Sequence, residues 1–269
     1  MTMNSVLTPR TRRVLRRWLA ATFVVAVLLF LFLPIVLIVL FSFNASPTLS
    51  FPINGFTFDW YREALGDPLF VTALENSLEL AATTAIVAGL LGTTAAFAVG
   101  RYRRRVQSGV VYAALLPSIL PVLVIAIALA IFLNAIGVSL SLKTAALGHI
   151  LIAFPFVFLI LRARLESFDY TLLEAARDAG ASPWRAFRDV TLPLIRPSII
   201  GAALISVSLS LDEFVITSFT IGPDQTLPVL IWAKLRVGLD PGVNALATLV
   251  LSGTIVAGMI SYRVSRIRL

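Results

Sequence analysis

Between Arg17 and Asp59 the chain contains no ionisable residue, and residues 18–41 are almost entirely apolar. As a helix, that run is long enough to cross a hydrocarbon layer about 30 Å thick. Water is absent there, so each backbone amide must find its partner inside its own segment or in a closed barrel. A run of this length without strand alternation therefore predicts a membrane helix. A cleavable signal would have a shorter apolar region ending at a small-residue site. Here the run continues through Leu31, Phe32, Leu33, Ile35 and Leu37, so the segment is expected to be retained and bent at Pro34.

The same criterion predicts five further spans, at about residues 78–99, 110–133, 145–161, 198–219 and 246–262, giving an all-α membrane protein of about six helices. Kinks are expected at Pro117, Pro121 and Pro155. Composition agrees: 58% of the 269 residues are hydrophobic and 13% charged, which leaves too little polar surface for a water-soluble domain. Cysteine is absent and His149 is the single histidine, which excludes disulfide frameworks, cysteine nucleophiles and His-rich zinc sites. Along span two, Gly92, Ala96 and Gly100 recur every four residues and permit close packing by another helix, with packing inside the subunit the simpler reading.

A net charge of +8 would raise the question of nucleic acid in a soluble protein, but these basic residues flank the apolar runs. Of the 22 Lys and Arg, only Arg62, Lys143, Lys234 and Arg236 fall in the loops of one side. Cytoplasmic loops carry the excess of positive charge, so both termini are expected in the cytoplasm. The domain plan is then a basic N-terminus (1–17), a first span (18–43), an outer loop (44–77), a core (78–262) and a basic C-terminus (263–269). Two more outer loops fall at about 134–144 and 220–245, the latter holding Gly222-Pro223-Asp224, Pro228 and Asp240-Pro241-Gly242.

Within the core, the cytoplasmic loop 162–197 is too long and too patterned to be a plain connector. Thr171-Leu172-Leu173-Glu174 has the form of a capping box, which predicts a short helix beginning near Leu172. Gly180 is suited to end it in the left-handed conformation, and Ser182-Pro183 supplies an N-cap and a first-turn proline for a second short helix. The expectation is helix, sharp turn, helix.

On these residues the chain resembles a known family. Glu174-Ala175-Ala176, then Gly180, then Val190-Thr191-Leu192-Pro193 is similar to the EAA loop of ABC importer permeases: E-A-A, three residues, G, nine residues, I-x-L-P, with Val190 in place of isoleucine. The resemblance implies a type I permease fold in which Glu174, Ala175, Ala176, Gly180, Leu192 and Pro193 form a coupling helix-turn-helix docked on a cytoplasmic ATPase. Asn76-Ser77-Leu78, Ser210-Leu211-Asp212-Glu213-Phe214, Gly222-Pro223, Leu227-Pro228 and Val243-Asn244-Ala245-Leu246-Ala247-Thr248 resemble the second permease subunit of spermidine/putrescine importers. Permeases for iron, thiamine or other small solutes share parts of this pattern. Implied partners are a second permease subunit, two copies of an ATPase subunit that bind the ATP and Mg, an extracytoplasmic solute-binding protein and the lipid of a bacterial inner membrane. No cofactor is implied in this chain, and no nucleic acid.

Asp212 and Glu213 are the formally charged residues placed well inside a span, where a carboxylate costs several kcal/mol unless it is paired or hydrated. Fourteen residues beyond Ser198, Asp212 would sit about 21 Å up span five. Ser206, Ser210, Glu213 and Thr217 share one helical face, which favours Glu213 for a substrate pathway. Asp212 lies about 100° around the helix, yet the resemblance makes it an equal candidate. Phe214, Phe219 and Trp232 offer aromatic faces for an ammonium, although aromatics at this level also serve as interfacial anchors. His149 reads as a hydrogen-bonded packing residue rather than a proton relay.

Two rival classes fit less well. A membrane-embedded enzyme using Asp212 and Glu213 as an acidic pair would need a second cluster of His, Asp or Ser inside the spans, and a scaffold would need no intramembrane carboxylate. A nucleotide-binding G-x-x-x-x-G-K-[ST] loop is absent, so any ATP hydrolysis belongs to another subunit.

Overall fold

The computed structural model describes residues 9–100, 104–238 and 241–266, and among them every regular element is helical, apart from one isolated bridge between Asn44 and Phe56. In chain order these are α1 (Pro9–Phe41), α2 (Asp59–Gly66), α3 (Pro68–Val99), α4 (Arg104–Ile119), α5 (Val122–Ala135), α6 (Leu142–Glu166), α7 (Thr171–Asp178) and α8 (Pro183–Ala186). A π-helical turn, Phe187–Thr191, leads into α9 (Leu192–Asp212), followed by α10 (Val215–Thr220), α11 (Leu227–Val237) and α12 (Pro241–Arg266). Among the described residues, four helical stretches are each long and apolar enough to cross a membrane: Arg16–Phe41, Pro68–Val99, Leu142–Glu166 and Pro183–Asp212.

The expected third span is not one straight helix. Gln107–Ile119 and Val122–Ala135 meet at 96°, with Leu120 and Pro121 at the corner. Proline has no N–H to continue the ladder and its ring disfavours a helical residue before it, which accounts for a sharp break rather than a mild kink. Span two begins ten residues earlier than expected because Asp67 caps it, accepting from Leu69 N at 2.9 Å, with Pro68 in the first turn. That brings Glu75 and Glu79 onto the same long helix.

The chain divides into two compact units. The described part of the first comprises residues 9–64, 238 and 241–255. In it α1 is exposed over residues 16–36, and aromatic contacts follow: Phe43 with Phe58 and Tyr61, and Trp60 Nε1 donating to Asn44 O at 2.8 Å.

The second unit holds the bundle of α3, α6 and α9. Leu80 on α3 shares a buried cluster with Ala145 and Ala146 on α6, while Ala96 and Val99 cluster with Leu161 and Leu165, so α3 and α6 run parallel. α9 runs the other way: Ile195 near its start joins the cluster at Leu165, and Ser210 near its end reaches Thr84 and His149. Lipid gives no hydrophobic reward for helix association, so close van der Waals packing has to supply it. Gly92 does this by letting α6 approach; a Cβ there would stand 2.7 Å from Val157 Cγ1 and 3.0 Å from Phe158 N. Of the small-residue stripe, Gly92 and Ala96 are thus used within the subunit, and Gly100 lies exposed past the helix end.

Candidate functional site: the coupling loop and the helix break

The loop between α6 and α9 forms the expected helix, turn and helix, with one correction at its start. Thr171 is the first helical residue rather than the cap. Its N–H and hydroxyl both donate to Asp169 Oδ1, at 3.0 and 2.7 Å, and these bonds, the hydroxyl's first, hold the exposed Asp169 carboxyl below the usual carboxylate range. Glu174 is therefore not in a capping box; it is exposed and has no side-chain hydrogen bond among the described residues. The Asp169 carboxylate accepts both donors and so outcompetes the box.

The turn at Gly180 is closed by two backbone bonds, Gly180 N to Arg177 O at 2.8 Å and Ala181 N to Ala176 O at 3.0 Å. These are the paired bonds of a Schellman ending, and Gly180 takes the left-handed conformation that the ending requires, with φ of +84°. Ala176 is half-buried and lends its carbonyl to the turn, while Ala175 faces outward. Ser182 then accepts from Arg185 N at 3.3 Å, and Pro183 opens α8. Leu192 and Pro193 are exposed at the start of α9. Pro193 lacks an N–H and Leu192 N bonds back to Phe187 O, a pairing that leaves room for the π-helical turn.

In the same loop Leu172 and Trp184 are 44% and 69% exposed. Trp184 stacks on Phe187, which meets Phe97 of α3 edge-on; both pairs have ring centroids 5.7 Å apart. Arg164 Nη2 donates to Leu194 O at 3.0 Å and staples the end of α6 to the start of α9. Trp184 did not stand out in the sequence, because an aromatic one residue past a first-turn proline carries no periodic signal.

Asp212 and Glu213 lie at a break rather than inside a straight helix. α9 ends at Asp212; Glu213 is extended, with φ of −76° and ψ of 108°, and α10 begins at Val215. Glu213 Oε1 accepts from Ile216 N at 2.9 Å, so this carboxylate holds an orphan amide of the next segment. Asp212 is exposed, and neither carboxylate forms an ion pair among the described residues.

The expected single stripe of Ser206, Ser210, Glu213 and Thr217 is interrupted by that break. Ser206, Ser210 and Thr217 are buried, and their hydroxyls are engaged inside the bundle. His149 Nδ1 meets Ser210 Oγ at 2.7 Å and its Nε2 meets Thr217 Oγ1 at 2.8 Å, while Thr217 donates to Glu213 O at 2.8 Å. Polar residues spaced by three and four mark a face, and here the face is turned into the protein. Phe214 and Trp232 do come together, with centroids 5.3 Å apart, and Arg236 sits 5.3 Å over the Trp232 ring, on a face expected to be open to an ammonium.

α11 is tied to the start of α3. Asn76 Nδ2 donates to Gln225 O at 2.8 Å, Leu227 N donates to Ser77 Oγ at 2.9 Å, and Lys234 Nζ donates to Asp67 Oδ2 at 3.0 Å. The Lys234 bond, aided by the amides of Leu69 and Phe70, holds the Asp67 carboxyl below its ordinary value against the opposing effect of burial.

A bundle of membrane-length helices with a patterned helix-turn-helix loop is the arrangement of an importer permease, and the comparisons agree. The family pattern of the binding-protein-dependent transport system inner membrane component matches residues 88–268, so the chain belongs to this family of ABC importer permeases. The spermidine/putrescine transport system permease protein PotC of Escherichia coli (strain K12) is 35% identical over 256 residues, covering 93% of this chain and 95% of PotC. The putrescine transport system permease protein PotI of the same strain is 34% identical over 241 residues, covering 87% and 85%. A chain of the bacterial ABC transporter involved in import of the acidic polysaccharide alginate shares the fold, with a TM-score of 0.75 at 16% identity over 95% of this chain and 97% of that one. As a permease, the chain is a multi-pass inner-membrane subunit and not an enzyme; ATP hydrolysis belongs to a separate subunit.

Proposed function

We propose that this chain is the permease subunit of an ATP-driven polyamine importer that works by alternating access, with Asp212 and Glu213 as the negative charges on the path. The observation that carries the reading is the break at 212–214, which holds two carboxylates at the end of a membrane-length helix with no Lys or Arg paired to them among the described residues. A polyammonium leaving water needs such compensation. The similarity to PotC and PotI supports the substrate class. Ser206, Ser210 and Thr217 support the path from behind, and Phe214 and Trp232 flank it.

In this reading both termini and the loop 162–197 face the cytoplasm, as the distribution of Arg and Lys favours. Glu174, Ala175, Ala176 and Gly180 dock with Leu172 and Trp184 in a groove of one ATPase subunit, and Leu192-Pro193 carries the motion into α9. A second permease chain, two ATPase copies binding ATP and Mg, and an extracytoplasmic binding protein complete the importer. An inside-negative potential adds about 2.3 kcal/mol per charge per 100 mV to cation import.

The test is uptake of labelled spermidine and putrescine by the complete importer in vesicles. Asp212→Asn and Glu213→Gln keep shape and hydrogen bonding, so a strong loss with basal ATPase intact reports charge. Normal uptake by both single variants and by the double variant would remove the cationic path, although the family assignment would stand.

A further inference from the structure

The geometry points to His149 as the positioning residue that keeps α9 and α10 apart as separate segments, an inference that uses the proposed path only for its functional consequence. His149 is 2% exposed on α6, yet both of its ring nitrogens are engaged. One reaches Ser210, two residues before α9 ends, and the other reaches Thr217, two residues after α10 begins. Thr217 gives its own proton to Glu213 O, so Nε2 is the donor in the second contact. Ser210 also lies 3.5 Å from Thr84 of α3, which ties the same point to a third helix.

Distance makes the ring selective for the broken form. In one continuous helix Ser210 and Thr217 would be separated by about 10.5 Å along the axis. Contacts of 2.7 and 2.8 Å plus the width of one imidazole fall short of that span. The broken form thus suits both bonds of His149, and straightening the chain at 212–214 would stretch or break at least one of them unless both hydroxyls leaned toward each other. The packing of Ile216 against Gly148, the residue before His149, holds the same corner: a Cβ at Gly148 would collide with the Ile216 side chain.

The test uses the assembled importer. The chain contains no cysteine, so Ser208→Cys and Ser218→Cys, both on exposed positions flanking the break, can be spin-labelled without background from this chain. In the His149→Phe background the label distance is expected to lengthen toward the about 15 Å rise of ten helical residues, and His149→Gln, which keeps a donor and an acceptor, is expected to restore it. The double change Ser210→Ala with Thr217→Val should reproduce the effect while His149 stays in place, and serves as the readout if His149→Phe does not insert. An unchanged label distance in both backgrounds overturns the proposal, whatever the substrate. Where the distance changes, the clamp stands. The apparent KM for polyamine then separates the two readings: a rise of at least tenfold with basal ATPase retained joins the clamp to the path, whereas an unchanged KM supports the clamp and counts against the path.

Discussion

Substituting Gly180 tests the coupling loop most sharply, because the structure separates the backbone cost from any packing cost. A Cβ built at Gly180 meets nothing within 4 Å, so a side chain has room and only the φ of +84° resists it. The left-handed conformation costs an L-residue about 1–2 kcal/mol, and valine, being β-branched, lies at or above the top of that range. A deficit of this size changes the population of the turn by roughly 5- to 30-fold. Asparagine visits the left-handed region far more readily. The expected order of ATP-driven uptake is Gly180 ≥ Gly180→Asn > Gly180→Ala > Gly180→Val, with insertion and basal ATPase preserved throughout. The assay is initial-rate uptake in reconstituted vesicles alongside phosphate release, so that coupling is read as solute moved per ATP. Uptake by Gly180→Val at the original rate would refute the coupling role. A Gly180→Asn variant as poor as Gly180→Val would refute the backbone argument, since the two differ chiefly in their tolerance of positive φ.

Three further outcomes follow from contacts described above. Gly92→Ala places a methyl 2.7 Å from Val157 Cγ1 and should cost about 1–3 kcal/mol by overpacking, seen as a lower thermal midpoint of the detergent-solubilised complex; an unchanged midpoint would show that α3 and α6 are not held at this contact. Because the folded pKa of Asp67 is depressed, its stabilising pair with Lys234 is fully present above the unfolded carboxyl value near 3.9 and is lost as pH falls through the lower folded value. Amide exchange of α11 should thus be insensitive to this pair from pH 8 to 5 and rise only below about 4, and Asp67→Asn should speed it severalfold at pH 7, as suits a half-exposed pair worth under about 1 kcal/mol. Arg236→Gln frees a Trp232 face from a contact worth about 0.5–1 kcal/mol at an exposed site, so the KM for polyamine should fall two- to fivefold; a rise would mean that Arg236 assists the substrate rather than competing with it.

The long apolar runs and the Gly180 turn could be read directly, because each depends on interactions within about one helical turn. Chain length and hydropathy suffice for α1, α3 and α6, and a single glycine followed by Ser182-Pro183 suffices for the helix-turn-helix. What escaped the sequence depends on partners far along the chain. The hydroxyls of Ser210 and Thr217 carry the spacing of a solvent-facing stripe, and only the packing of α6 against both segments turns them inward toward His149. Likewise Thr171 and Glu174 satisfy the capping-box spacing, yet Asp169, two residues upstream, takes both of the donors of Thr171. The corner at Leu120–Pro121 was visible as a kink, and its 96° depth was not, since proline alone does not set how far a helix turns.

The continuous helical run Pro183–Asp212 gives the molecule a lever whose two ends are chemically distinct. At about 1.5 Å per residue its 30 residues reach some 45 Å, so a tilt of about 5° imposed at Trp184 would swing Asp212 through roughly 4 Å, on the scale of a polar contact made or lost. The π-helical turn at Phe187–Thr191 sits near the Trp184 end of that run. It places one extra residue in the helix, so the faces before and after it are offset by about 100° relative to an unbroken helix. In the proposed importer, the face that would dock on the ATPase is thus turned by about that angle, relative to the carboxylates, from where an unbroken helix would present it.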